Sequence, residues 1–183
     1  MGNLPGALIG EAGRLTYYRC DSAQPGLANE WIKMIVASSG HDQQLGMVGG
    51  TPFATYLDNT NNLHFARTLT IRPTTTSDWH SGLITNGPVT LSRLIDYNGR
   101  PAVVFVSYQG KPEDRDATVW FALAKTTAPS AAQDWTLTAL DYSGSMDTPG
   151  LVLMGTDIYV SFNVNDSGLR PSGQFLMRVG APS

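Results

Sequence analysis

Short apolar runs separated by turn residues dominate the hydrophobic pattern of this 183-residue chain. Some runs alternate, as in residues 158–163 (IYVSFN), and a period of two is typical of a half-buried β-strand. Other runs are nearly all apolar and precede a glycine-bearing turn: Leu45–Val48, Leu91–Ile95 and Leu151–Met154. We expect these apolar runs to be strands buried on both faces. The pattern therefore predicts many short strands joined by turns.

One pattern recurs three times along the chain. An acidic residue directly precedes a tryptophan at Glu30-Trp31, Asp78-Trp79 and Asp134-Trp135. A strand-like run begins 16 positions before each of these tryptophans: Leu15–Arg19, Leu63–Arg67 and Val119–Leu123. The tryptophans themselves are 48 and then 56 residues apart. A constant offset within a variable period indicates a repeated structural unit with an insertion elsewhere.

In the second, third and fourth units, another strand lies between the short apolar run that opens the unit and the strand-like run that follows. These strands follow a glycine turn: Gly50–Tyr56, Gly99–Tyr108 and Gly155–Phe162. The loop that follows the second strand lengthens from 57–62 to 109–118 and 163–173. Four antiparallel strands in about 50 residues predict a blade of a β-propeller. A β-sandwich is the alternative, but it does not require the constant 16-residue offset.

The repeat also resembles a known group of propellers. A short apolar strand, Gly99-Arg-Pro-Ala102, an aromatic strand end, Leu63-His-Phe-Ala-Arg67 and a tryptophan strand resemble repeats of bacterial sialidase-type β-propellers. The resemblance runs from about Leu4 to Arg178. Such propellers carry a Ser-x-Asp-x-Gly turn before the tryptophan, and the turns at Asp78 and Asp134 keep the acid but lack the glycine. The resemblance therefore concerns the architecture.

The period divides the chain into about 3.5 to 4 blades within a single domain, 1–183. The approximate blades are 1–40, 41–86, 87–142 and 143–183. We expect fourteen strands, with two full blades between two three-stranded parts. Closure of the ring then requires pairing of the terminal parts, further sequence, or a second copy of the chain. We expect a homodimer or higher oligomer, because an open row of blades exposes sheet faces and edges.

Composition excludes several classes of protein. The chain has 12 Lys+Arg against 15 Asp+Glu, so it lacks the basic surplus of a nucleic-acid binder. With 19 Gly and 11 Pro, it is not a mainly helical protein. No apolar run approaches 18 residues, so we expect no membrane insertion. The beginning of the given sequence has no secretory signal pattern, yet an extracellular or surface location is favoured. Cys20 is the single cysteine and cannot form an intramolecular disulfide.

The resemblance implies a test for catalysis, because sialidases use three arginines, a tyrosine nucleophile assisted by glutamate, and an aspartate acid/base. Arg19, Arg67 and Arg178 occupy one repeat position, which favours a structural role. The three glutamates are Glu11, Glu30 and Glu113, and no pair of carboxylates stands out. The sequence therefore predicts no catalytic residue. A glycoside hydrolase fragment, completed by another chain or by further sequence, is the alternative.

Metal binding has weak support in the sequence. Asp58 with Asn62, and Asn163 with Asp166, place oxygen side chains at calcium-loop spacing. Hairpin turns favour the same residues because Asn and Asp tolerate left-handed backbone. We therefore expect turns and no cofactor. The three histidines have no ligand spacing.

Binding through loops on one propeller face is the function that we expect. Loops 109–118 and 163–173 vary between units, and a repeat frame tolerates insertions where they are used. Trp31, Trp79 and Trp135 recur and are expected to pack between blades. The candidate binding residues lie in or near the variable loops and strand ends: Tyr108, Arg115, Trp120, Tyr142, Asp147 and Arg170. The sequence thus predicts a non-catalytic recognition or assembly module for a glycan or a protein.

Overall fold

The chain is all-β, as the sequence predicts. The computed structural model describes residues 6–11, 13–109, 116–142, 149–164 and 173–179, and within them the chain forms fourteen β-strands. No helix in those ranges is long and apolar enough to cross a membrane. The first sheet contains β1 (Gly6–Glu11), β2 (Arg14–Cys20) and β3 (Trp31–Ala37). The second contains β4 (His41–Val48), β5 (Thr51–Leu57), β6 (Leu63–Thr68) and β7 (Trp79–Thr85). The third contains β8 (Val89–Tyr97), β9 (Arg100–Gln109), β10 (Asp116–Ala124) and β11 (Trp135–Tyr142). The fourth contains β12 (Gly150–Met154), β13 (Asp157–Val164) and β14 (Gly173–Val179).

The four sheets are successive blades of a β-propeller. Each sheet is an antiparallel meander in which strands adjacent in sequence are adjacent in space. The sheets pack in chain order, with β1 against β4, β4 against β8 and β8 against β12. In the described residues, the first and fourth sheets share no extensive contact. The described blades therefore form an open row, with β4, β8 and β12 as inner strands.

Three apolar layers between the sheets hold the row together. Phe53 and Phe65 of the second sheet pack against Trp135 of the third, with ring centroids 6.5 and 5.8 Å away. Tyr17 of the first sheet contacts the Trp79 ring of the second, and Val106 of the third sheet packs near Phe162 of the fourth. Each fully buried side chain of this size stabilises the fold by about 1.5–3 kcal/mol.

An acidic residue caps the turn before each outermost strand. Asp78 accepts hydrogen bonds from the backbone amides of Thr74 and Thr75 at 2.7 and 2.9 Å. Asp134 accepts equivalent bonds at 2.7 and 3.1 Å, and Glu30 does so at 2.7 and 3.1 Å. These bonds hold the pKa values of Asp78 and Asp134 below the usual range. The repeated acid–tryptophan pair therefore ends a 3₁₀ turn and begins a strand.

The inner strands are not buried on both faces, contrary to the prediction. Met47 of β4 is 54% exposed, and Val152 and Met154 of β12 are 47% and 58% exposed. An inner strand stays exposed where the neighbouring sheet has no strand to cover it. The first sheet has no strand on the inner side of β1, and no sheet covers the outer face of β12 in the described residues.

Candidate functional site

The starts of the inner strands lie at the same face of the propeller as several loops. His41 of β4 pairs with Leu57, the last residue of β5, and Val89 of β8 pairs with Ser107 near the end of β9. The amide of Val89 also donates to the carbonyl of Asn61, which ties the β7–β8 connection to the β5–β6 turn. We call this side of the molecule the loop face.

A polar cleft of about 270 Å³ opens on the loop face between β4 and β8. This volume lies just below the range of about 300–1,000 Å³ that is typical of ligand pockets. The lining combines two amides, a hydroxyl, a carboxylate, a guanidinium and one aliphatic side chain: Gln43, Gln44, Ser92, Asp42, Arg93 and Leu91. We call it the axial cleft, because both inner strands line it.

A β-bulge determines where Asp42 lies in the axial cleft. The pairing of β4 with β5 shifts between His41 and Gln44, and Asp42 has a φ of 49° in the left-handed region. Aspartate adopts that region more readily than most residues. The His41 ring contacts the Asp42 carboxylate through Nδ1 at 3.1 Å and the Asp58 carbonyl through Nε2 at 3.1 Å. The bulge and the imidazole together orient the carboxylate.

Arg93 supplies the cationic group of the axial cleft. Its Nη1 donates to the carbonyl of Ser92 at 2.9 Å, which fixes the guanidinium close to the backbone of β8. The hydroxyl of Ser92 lies 3.3 Å from that of Thr55 in a buried contact between the second and third sheets. The cleft wall is therefore supported from behind by packed strands, and one carboxylate and one guanidinium balance each other in charge.

Asp58 forms a closed turn beside the axial cleft. Its Oδ1 accepts from the Thr60 amide, the Thr60 hydroxyl and the Asn62 amide, and its Oδ2 accepts from Asn62 Nδ2 and from His64 Nε2 at 2.9 Å. Burial alone raises the pKa of Asp58, but these bonds lower it far below the usual range. The carboxylate thus has the contacts of an Asx turn. The expectation of a turn without a cofactor stays untested at Asp58 and Asn62. The same holds at Asn163 and Asp166, since Asp166 lies outside the described residues.

The candidate binding residues from the sequence fall into three groups. Tyr108 is half-buried at the end of β9, and its amide donates to the carbonyl of Pro88 at 3.1 Å on the loop face. Trp120 is half-buried, donates from Nε1 to Ser107 Oγ at 2.9 Å and stacks on Phe105 at 6.4 Å.

Tyr142 is the last residue of β11 and pairs with Thr118 near the start of β10, so its backbone also lies at the loop face. Arg115, Asp147 and Arg170 lie outside the described residues. Ligand binding by these residues, and by Tyr108 and Trp120, stays a prediction.

The repeated arginines and tryptophans lie at sheet-to-sheet contacts or on the faces of the first and fourth sheets that no other described sheet covers. Arg67 Nε donates to the carbonyl of Pro129, in the connection between β10 and β11, at 2.9 Å. Arg19 pairs instead with Asp21 at 3.1 Å, and Arg178 pairs with Asp157 at 2.9 Å. Trp79 and Trp135 pack on the preceding sheet, whereas Trp31 is half-buried at the first sheet.

The axial cleft itself was not predicted from the sequence. Its residues come from two strands about 50 positions apart, and only the sheet packing brings them together. One signal was present: the polar run His41-Asp-Gln-Gln44 at the start of an otherwise apolar strand. A polar start to an inner strand indicates a lining residue rather than a core residue.

Comparison with known proteins shows similarity in fold. No family model and no curated protein matches the chain. An alpha-L-arabinofuranosidase from Lactobacillus brevis has a TM-score of 0.51 at 9% identity, covering 93% of this chain and 70% of its own. An endo-1,4-beta-xylanase from Bacteroides thetaiotaomicron has a TM-score of 0.48 at 11% identity, covering 97% of this chain and 69% of its own. Both are glycoside hydrolases by name, and the similarity concerns the all-β architecture.

Proposed function

We propose that the chain is a non-catalytic recognition module that binds a glycan in the axial cleft on the loop face. The observation that carries this proposal is the polar lining of the cleft between β4 and β8, where the side-chain amides of Gln43 and Gln44, the Asp42 carboxylate and the Arg93 guanidinium line one opening. Sugar hydroxyls both donate and accept hydrogen bonds, so they match such a mixed set. A strongly charged ligand fits this lining less well, because Asp42 and Arg93 offset each other.

The rigid surroundings of the axial cleft support tight positioning of a sugar. Ser92 is buried at 2% exposure, and its hydroxyl contacts Thr55, which is fully buried in β5. Groups held by packed strands lose little freedom on binding, which favours affinity. The small volume suits one sugar ring of a longer glycan, with the neighbouring rings lying across the loop face.

The number of carboxylates favours binding over catalysis. A glycoside hydrolase of the usual kind needs two carboxyl groups flanking the scissile bond. Among the described residues that line the axial cleft, Asp42 is the single carboxylate. Arg19, Arg67 and Arg178 lie at separate sheets and form no cluster of the kind that sialidases use for the substrate carboxylate. The sialidase-type resemblance therefore supports the blade architecture and not that activity.

A glycan array followed by equilibrium titration tests the proposal. We expect the 183-residue protein to bind at least one glycan. Arg93→Ala should weaken binding by about tenfold or more, since a hydrogen bond to a charged group is worth about 1.5–3 kcal/mol, and Gln44→Ala by about two- to tenfold, since a neutral hydrogen bond is worth about 0.5–1.5 kcal/mol. Arg100→Ala is a matched control, because Arg100 starts β9 at the end of the third sheet that is opposite the loop face. Binding unchanged in both cleft variants would contradict the proposal.

A glycoside hydrolase is the second candidate, and the geometry of Asp42 favours it. A carboxylate in left-handed backbone at a β-bulge is the kind of feature that recurs at active sites. The second carboxylate would then come from residues outside the described ranges or from another chain. Chromogenic glycosides, including an α-L-arabinofuranoside and a sialoside, provide the assay. Turnover that Asp42→Asn abolishes while binding persists would establish hydrolysis instead of recognition.

A further inference from the structure

Trp31 lies at a repeat position where its equivalents pack on a neighbouring sheet. Trp135 packs on Phe53 and Phe65 of the second sheet, and Trp79 packs on Tyr17 of the first at 5.0 Å. Trp31 opens the outermost strand of the first sheet, and no sheet precedes it in the described structure. Its indole is half-buried and makes no ring contact with the described residues. The tryptophan at this repeat position thus packs on a preceding sheet in the second and third sheets, whereas Trp31 of the first sheet has no such sheet to pack on.

The fourth sheet presents the opposite half of the same contact. Counted from the turn between its first two strands, Tyr159 occupies the position of Phe53, and Leu176 occupies the position of Phe65. Leu176 is 66% exposed, whereas Phe65 is fully buried by the third sheet. The outer face of the fourth sheet thus carries an aromatic and an aliphatic side chain where the second sheet holds Trp135.

We propose that a second copy of this chain docks head to tail, with the outer face of its first sheet on the outer face of the fourth sheet. Trp31 of each copy then packs on Tyr159 and Leu176 of the other. We call these two surfaces the end faces. Two such contacts related by a twofold axis along the propeller axis close a ring of eight sheets.

The arginine repeat supports the same arrangement. Arg67 Nε donates to the carbonyl of Pro129, which stands five residues before Asp134. Pro25 stands five residues before Glu30 in the first sheet, and Arg178 occupies the position of Arg67 in the fourth. In the docked pair, Arg178 therefore faces the carbonyl of Pro25 of the other copy. The contact would thus repeat the junction between the second and third sheets, whereas Arg19, at the same position of the first sheet, pairs with Asp21.

The area and composition of the end faces suit a reversible interface. Three strands of about seven residues cover roughly 14 by 23 Å, so four end faces in two contacts give about 1,300 Å² before side-chain relief is counted. Beside Trp31, the first end face carries Ile9 and Ile35 and the Lys33–Glu11 ion pair at 2.7 Å. An aromatic and aliphatic centre with charges around it is typical of a non-obligate interface.

Light scattering after size-exclusion chromatography, over a range of concentrations, tests the proposal on the 183-residue protein. We expect a species of twice 19.7 kDa that dissociates on dilution. Trp31→Ala should raise the dissociation constant by at least about 30-fold, as for an interface hot spot. Leu176→Glu and Ile35→Glu, both at exposed positions, should each leave only the monomer. Leu69→Glu, at a turn residue that is 63% exposed, should leave the two-chain species unchanged.

Mixing the variants distinguishes head-to-tail docking from a symmetric contact. An equimolar mixture of Leu176→Glu and Ile35→Glu retains one intact pair of end faces, so the two-chain mass should return with lower affinity. A wild-type protein that stays monomeric at every concentration would overturn the proposal. Dimers that survive in either charged variant alone would also overturn it, because the contact would then not join the first sheet to the fourth. Circular dichroism of each variant confirms that the fold is retained.

Discussion

The face of the second sheet that points toward the third sheet and the equivalent face of the fourth sheet differ in what covers them. Phe53 and Leu57 of β5 are 1% exposed beneath the third sheet. Their counterparts in β13 are Tyr159 and Asn163, which are only half-buried. The first three strands of the second sheet and the three described strands of the fourth follow the same antiparallel order. The backbone therefore repeats, while the exposure of the side chains depends on whether a neighbouring sheet is present.

The position of a residue within the row therefore decides its energetic role. A side chain between two sheets contributes through the loss of apolar surface to water, and its removal leaves a cavity. The same repeat position at an end face contributes little to folding and is free to serve association. The repeat pattern alone does not reveal which of the two roles applies.

Phe65→Ala provides the largest contrast with the end faces. Its ring is fully buried against Trp135, so we expect a loss of about 3–5 kcal/mol in the free energy of unfolding. Leu176→Ala, at the equivalent position of the fourth sheet, should change it by less than about 0.5 kcal/mol in dilute monomer. Urea titration followed by tryptophan fluorescence measures both values. Similar losses in the two variants would mean that the fourth sheet is covered.

We expect Asp134→Ala to destabilise the fold less than Phe65→Ala does, and more than Glu30→Ala does. The Asp134 turn contacts the second sheet, where His80 Nε2 lies 3.2 Å from the carbonyl of Ser130. The Glu30 turn has no preceding sheet to contact. We expect Asp134→Ala to lower Tm by about 2–5 °C, with Asp134→Asn largely retaining Tm because its amide oxygen still accepts. Calorimetry with equal losses at both turns would remove the distinction between middle and end.

Asp58 gives a pH-dependent prediction of the smallest size. Its pKa is lower in the folded chain than in the unfolded one, so its contribution is present above the unfolded value of about 3.9 and fades as pH falls through the folded value. Asp58→Asn should lower Tm by about 1–3 °C at pH 7, with the difference from wild type shrinking below pH 4. Thermal melts at pH 7, 4 and 3 provide the measurement, and a difference that grows on acidification would refute the role of the carboxylate.

Much of the fold could be predicted from the sequence, because each blade repeats a local signal. The offset of Trp79 from Leu63 reflects a strand, a turn capped by Asp78 and a second strand, all of which are close in sequence. Burial of the inner strands could not be predicted, since the exposure of Met47 depends on what the first sheet supplies beside it.

The candidate site was harder to predict than the fold. The axial cleft needs a bulge at Asp42 and the approach of Arg93 from another blade, and neither follows from residue spacing. Aromatic residues near variable loops drew attention to Trp120, whose indole nitrogen is hydrogen-bonded to Ser107 and whose ring packs on Phe105. Polar residues at the start of an inner strand are the better signal in this architecture.

The axial cleft is the central element of the functional account, and an NMR titration tests it directly. The probe is the oligosaccharide that binds best on the glycan array, added to isotope-labelled protein. We expect saturable shifts of the amide signals of Gln43, Gln44, Ser92 and Arg93, with little change in β14. Shifts confined to other parts of the molecule, with these four signals unmoved at saturation, would contradict the proposal.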